Sequence, residues 1–137
     1  MRNLKLVFLT GIAAAVLQAG EIKIIANPSV GASGISSDEL KRVFLITKSS
    51  LSDGSHVEPV LEKGGVTHEA FLKEYLGKTD AALSTYYRSL VFTGKGAIPK
   101  TLASDAEVVA YVAKTKGAVG YVAASTPVAG VKELAVK

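Results

Sequence analysis

The chain has no cysteine and no tryptophan, and only one methionine and two histidines among 137 residues. Without cysteine there can be no disulfide framework, thiolate metal site, cysteine nucleophile or lipid-acylated cysteine, so stability must come from packing alone. Glu21 stands where a lipoprotein signal ending Leu17-Gln18-Ala19-Gly20 would need its cysteine. The two histidines, His56 and His68, have no neighbouring sequence that names a nucleophile and an orienting carboxylate, and both are expected at the surface.

Charge of one sign is also scarce. Once Arg2 and Lys5 are set aside, 14 basic side chains face 12 acidic ones and the formal charge falls from +4 to +2. The basic residues stand singly or beside carboxylates, as in Asp38-Glu39-Leu40-Lys41-Arg42, and form no stripe with interleaved aromatics. That excludes a nucleic-acid footprint. One uncharged apolar run exists, Leu6 to Leu17, directly after Arg2 and Lys5. It is shorter than the roughly 20 residues needed to span a bilayer, and it reads as a cleavable secretory signal ending about Ala19. The expected organisation is a signal peptide over 1–19 and one domain over 20–137, near the usual size of a single core.

Within that domain, hydrophobic period and local punctuation place the elements. Strands are predicted over 21–26, 57–61, 118–123 and 131–136, where β-branched residues cluster between turn signals. Four helices are predicted. Ser36 with Glu39 opens the first, which buries Leu40, Val43 and Phe44; Thr67 caps the second, with Phe71, Leu72, Tyr75 and Leu76 inward and Gly77 as a left-handed stop. Asp80 is expected to cap the third over Leu83, Tyr86, Tyr87 and Leu90, and Ser104 with Glu107 the fourth over Val108, Val109 and Val112. Strands mixed with helices in this order predict an α/β layered sandwich around a mixed sheet.

Three patterns resemble catalytic or nucleotide motifs and fail on a required position. Gly77-Lys78-Thr79 ends like a phosphate loop, but Leu72 occupies the site of its first glycine. His68-Glu69 lacks the second histidine four residues on, where Leu72 stands again, so no metal site is expected. Gly31-Ala32-Ser33-Gly34 has Ile35 where a nucleophile elbow needs glycine. The tyrosines at 75, 86, 87 and 111 lie in phase with Leu and Val and are expected in the core. No convergent acid, base or nucleophile remains, so neither enzyme activity nor a cofactor is expected. Gly64-Gly65-Val66-Thr67-His68, between a strand and a helix start, is the one stretch with a physical route to binding: its backbone N–H groups can face a small anion.

Several segments in order resemble the phosphate ABC transporter substrate-binding family, in particular its short PstS-like members. They are Ile24-Ile25-Ala26-Asn27-Pro28, Asp38 to Leu45, Ser52-Asp53-Gly54, Val57-Glu58-Pro59-Val60, Phe71 to Leu76, Val91 to Gly96 and Gly117 to Val122. The resemblance implies one lobe of a periplasmic-binding-protein type II fold, a periplasmic location, capture of phosphate or a related oxyanion without catalysis, and an ABC permease as partner. It places Thr67 on the family's ligand threonine, but Val66 on its glycine, Gly65 on its serine and Leu61 on its arginine. With one side-chain ligand of three retained, weak and salt-sensitive binding is expected, by the amides of Gly65 to His68 and the Thr67 hydroxyl. The same departures suit an alternative, an envelope protein-interaction module that kept the lobe and lost the ligand. A lone lobe would leave an anion half-open to water, so a homodimer or another envelope protein is expected across the face carrying Thr67.

Overall fold

The computed structural model describes residues 21–137; the signal-peptide expectation for 1–19 falls outside them. Six strands form one sheet in the order β2-β6-β1-β5-β3-β4. The central strand β1 (Ile22–Ala26) runs antiparallel to β5 (Ala118–Ala123) and β6 (Lys132–Val136). Parallel pairing joins β3 (Glu58–Glu62) to β5 and to β4 (Lys100–Leu102), and β2 (Gly34–Ile35) to β6. The sheet is therefore mixed, as expected. The two strands that the sequence pattern misses, β2 and β4, are its edges. They have two and three residues, too short to display a period, and short edges of this kind offer little template for pairing with another chain.

Alternation along the central strands sends residues to two unlike cores. Ile24, Ala26, Leu61, Val119 and Tyr121 meet α1 (Ser37–Phe44), α2 (Val66–Phe71) and α3 (Asp80–Phe92) on one face. Ile25, Val60, Ala118 and Val122 meet Val108 and Val112 of α4 (Asp105–Lys114) on the other. The first core is aromatic: Tyr121 stacks on Phe71 at 3.9 Å between ring centres, and Phe44 meets Phe71 edge-on at 4.8 Å. The second is aliphatic and thin. A Cβ at Gly120 would lie 2.9 Å from Val108 Cγ1, so the absence of a side chain there is what lets α4 lie so close to the sheet.

The helix ends follow local chemistry with two shifts. Ser36 and Ser104 cap α1 and α4 by accepting from the amides of Glu39 (3.0 Å) and Glu107 (3.2 Å), as expected. The cap of α3 is Thr79, which accepts from Ala82 N at 3.1 Å, and Asp80 is the first helical residue. α2 starts one residue before Thr67, with Gly65 as its cap, and continues from Leu72 to Leu76 as a π turn closed by Gly77 in the left-handed region (φ 64°). Side chains from distant elements satisfy other helix ends. The hydroxyls of Tyr86 and Tyr87 donate to the carbonyls of Leu45 and Phe44 at the end of α1, and Asn27 Nδ2 donates to Val112 O and Ala113 O at the end of α4.

Candidate functional site

Gly64 and Gly65 are exposed and connect β3 to α2. Gly65 has φ 98°, a conformation that L side chains rarely adopt, and this turns the chain sharply from strand into helix. Its carbonyl accepts from Glu69 N at 3.0 Å, so the amides of Val66, Thr67 and His68 precede the first intrahelical bond. No side chain caps them. Val66 is 67% exposed and Thr67 half-buried. The predicted stretch is thus one continuous turn with backbone donors at its outer surface.

His68 departs from the expected surface position: it is 2% exposed. Its ring is fixed at both nitrogens, Nδ1 lying 2.6 Å from Tyr121 Oη and Nε2 lying 2.8 Å from Asp80 Oδ1. Tyr121 Oη also accepts from Glu62 N at 2.9 Å. With the ring proton on Nε2, Tyr121 donates to Nδ1 and His68 donates to Asp80, and every donor in the network has an acceptor. Burial pushes the Tyr121 phenol well above its ordinary range, which keeps it a donor. His68 therefore ties the start of α2 to β5 beneath it and to the start of α3 beside it. Its imidazole is already committed to Tyr121 and Asp80.

Glu62, at the end of β3, was not singled out by the sequence pattern. It is 5% exposed, and its Oε2 and Asp105 Oδ1 both lack a conventional donor. Two carboxylates become partners only if they share a proton. Burial, then the hydrogen bond and charge of Asp105, pushes the Glu62 carboxyl up to about 8, which supplies that proton. Asp105 also accepts from Thr126 Oγ1 at 3.1 Å.

A cleft of about 310 Å³ opens beside the turn. One wall is Leu61, Glu62 and Lys63 with Thr101 of β4, and the opposite wall is the α3 face carrying Asp80, Leu83, Ser84, Tyr87 and Arg88 at helical spacing. His68 lies at its base and Ile98 at its rim; residues 64–67 flank the cleft without lining it. A larger, open depression of about 590 Å³ lies on the other side of Asp80 between the π turn and α3. It is lined mainly by apolar surface, and its Lys78 sits over the Tyr86 ring, so the smaller cleft is the better candidate. His56, by contrast, is exposed and near Glu58 at 3.5 Å, outside both. Among the described residues no group of His, Cys, Asp and Glu is arranged to hold a metal, and no helix is long and apolar enough to cross a membrane.

No protein-family model matches the sequence, and no curated protein does. Solved structures match the fold. An ABC-type phosphate transport receptor from Vibrio cholerae aligns over 98% of this chain and 65% of its own, at TM-score 0.57 and 10% identity. A protein described as a phosphate ABC transporter substrate-binding protein with bound phosphate, from Clostridium perfringens, aligns over 98% and 64% at TM-score 0.66 and 12% identity. PstS from Borrelia burgdorferi aligns over 99% and 66% at TM-score 0.62 and 10% identity. The chain thus spans less than two-thirds of the length of each, and its α/β fold with a six-stranded mixed sheet flanked by helices resembles part of a PstS-type binding protein.

Proposed function

We propose that this chain is an exported solute-binding protein of the periplasm that captures phosphate or a related oxyanion and serves phosphate uptake, with an ABC permease as its partner. The observation that carries the reading is the likeness in fold to three phosphate-transport proteins, one of them with phosphate bound, combined with an uncapped turn at 64–68. The amides of Gly65, Val66, Thr67 and His68 and the Thr67 hydroxyl are the turn's donors, and Gly64 gives the backbone room to approach. Capture needs no bond-making step, and no side chain here is offered for one.

Calorimetric titration of the protein with phosphate and sulfate tests the reading. Saturable binding that weakens with salt is expected, and Thr67→Ala should reduce affinity by roughly 1 kcal/mol, the value of one hydrogen bond. Unchanged affinity in that variant would move the anion off the turn. Absence of binding to either ion would favour an envelope interaction module with the same lobe. That alternative draws on the apolar surface at the end of α3, where Phe92 is 94% and Val91 49% exposed.

A further inference from the structure

We propose that the oxyanion sits in the cleft between β3 and α3, with its charge met by Arg88 and Lys63 from opposite walls and the turn at 64–68 beside it. The inference rests on the oxyanion-binding reading and adds to it the residues that would provide positive charge.

Four observations support it. Arg88 and Lys63 both line the cleft, one from α3 and one from the residue after β3. Neither forms a salt bridge among the described residues, although carboxylates line the same cleft; the guanidinium touches only Thr85 Oγ1, at 3.3 Å. Neither acid of the cleft pairs with them: Asp80 accepts from His68, and burial beside Asp105 raises the Glu62 carboxyl to about 8. The cleft therefore brings two cations without a salt-bridge partner into the same space as the Asp80 carboxylate, whose charge the neutral His68 ring does not cancel. Ser84 and Thr101 add hydroxyl groups to the same walls, which suits an acceptor-rich ligand.

Placement on α3 explains why Arg88 can serve. Asp80, Ser84 and Arg88 follow at intervals of four and all line the cleft, Arg88 also bordering a neighbouring depression with Thr85, Ser89, Phe92 and Thr93, while Leu83 and Tyr87 anchor the helix in the core beneath. Arg88 is itself exposed.

Titration of the full-length mature protein with inorganic phosphate and sulfate, as wild type, Arg88→Gln, Lys63→Gln and Lys95→Gln, decides the matter. Arg88→Gln should weaken phosphate binding roughly tenfold or more, as expected for loss of a charge-assisted contact, and Lys63→Gln by a few-fold. Lys95→Gln removes an exposed charge that does not line the cleft and should change affinity less than twofold. Wild-type binding that both cleft variants retain in full would overturn this assignment and leave the oxyanion reading intact. So would an equal loss in Lys95→Gln, which would mark a diffuse field. A wild type that binds neither ion would overturn the reading itself.

Discussion

The starts of α2 and α4 lie on opposite sides of one sheet and meet the same demand, four unpaired amides, in opposite ways. α4 is closed locally: Ser104 accepts from Glu107 N, Glu107 Oε1 accepts from Ala103 N at 3.1 Å, and Asp105 and Glu107 place negative charge in the first turn. α2 begins on a glycine with no side-chain cap, and its position is fixed from below by the buried His68. A closed start serves stability alone. An open start held by a side chain from inside keeps its donors available, and it is the open one that flanks the cleft. The Glu62–Asp105 pair connects the two, since Glu62 precedes the turn into α2 and Asp105 is the first residue of α4.

The largest effect should come from removing the internal anchor. His68→Ala deletes a buried ring and leaves the Tyr121 hydroxyl without its acceptor, so a loss of about 3 kcal/mol is expected in urea unfolding. A loss under about 1 kcal/mol would show that α2 does not depend on this network. Next comes the proton shared between the two starts. The folded-state pKa of Glu62 is raised above its unfolded value of 4.5 to about 8, so the folded form holds the proton more tightly. Its stabilisation is complete below about pH 4.5 and is lost as pH rises through 8. Glu62→Gln keeps a donor toward Asp105 at every pH, and its unfolding free energy should exceed that of the wild type at pH 9 and show a flatter slope between pH 5 and 9. Parallel slopes in the two proteins would mean that the pair shares no proton. The smallest effect belongs to the closed start: Ser104→Ala should cost about 1 kcal/mol, as usual for a lost helix cap, without altering phosphate affinity.

Much of the first layer of structure was legible because its causes are local. Ser36 and Ser104 carry their own acceptors, Gly77 meets the left-handed stop, and the 118–123 strand is observed with the same bounds. The shifts are local too. Thr79 competes with Asp80 for the same cap and prevails through its bond to Ala82 N, while Gly65 takes the cap position in place of Thr67. The turn at 64–68 was visible as a glycine-rich entry to a helix. Its surroundings were not: Tyr121, Asp80 and Arg88 are separated from it by a dozen to more than fifty positions, and no local signal joins them.

What the sequence by itself determined is therefore the four helices, the four longer strands, the absence of covalent staples and the place of a glycine-rich helix entry. Tertiary structure decided the strand order, the edge strands β2 and β4, the burial of His68 and the placing of Glu62 beside Asp105. The reason is physical. Caps and periods depend on residues within one or two turns of each other, whereas pairing, burial and charge depend on which distant segments the sheet brings into contact.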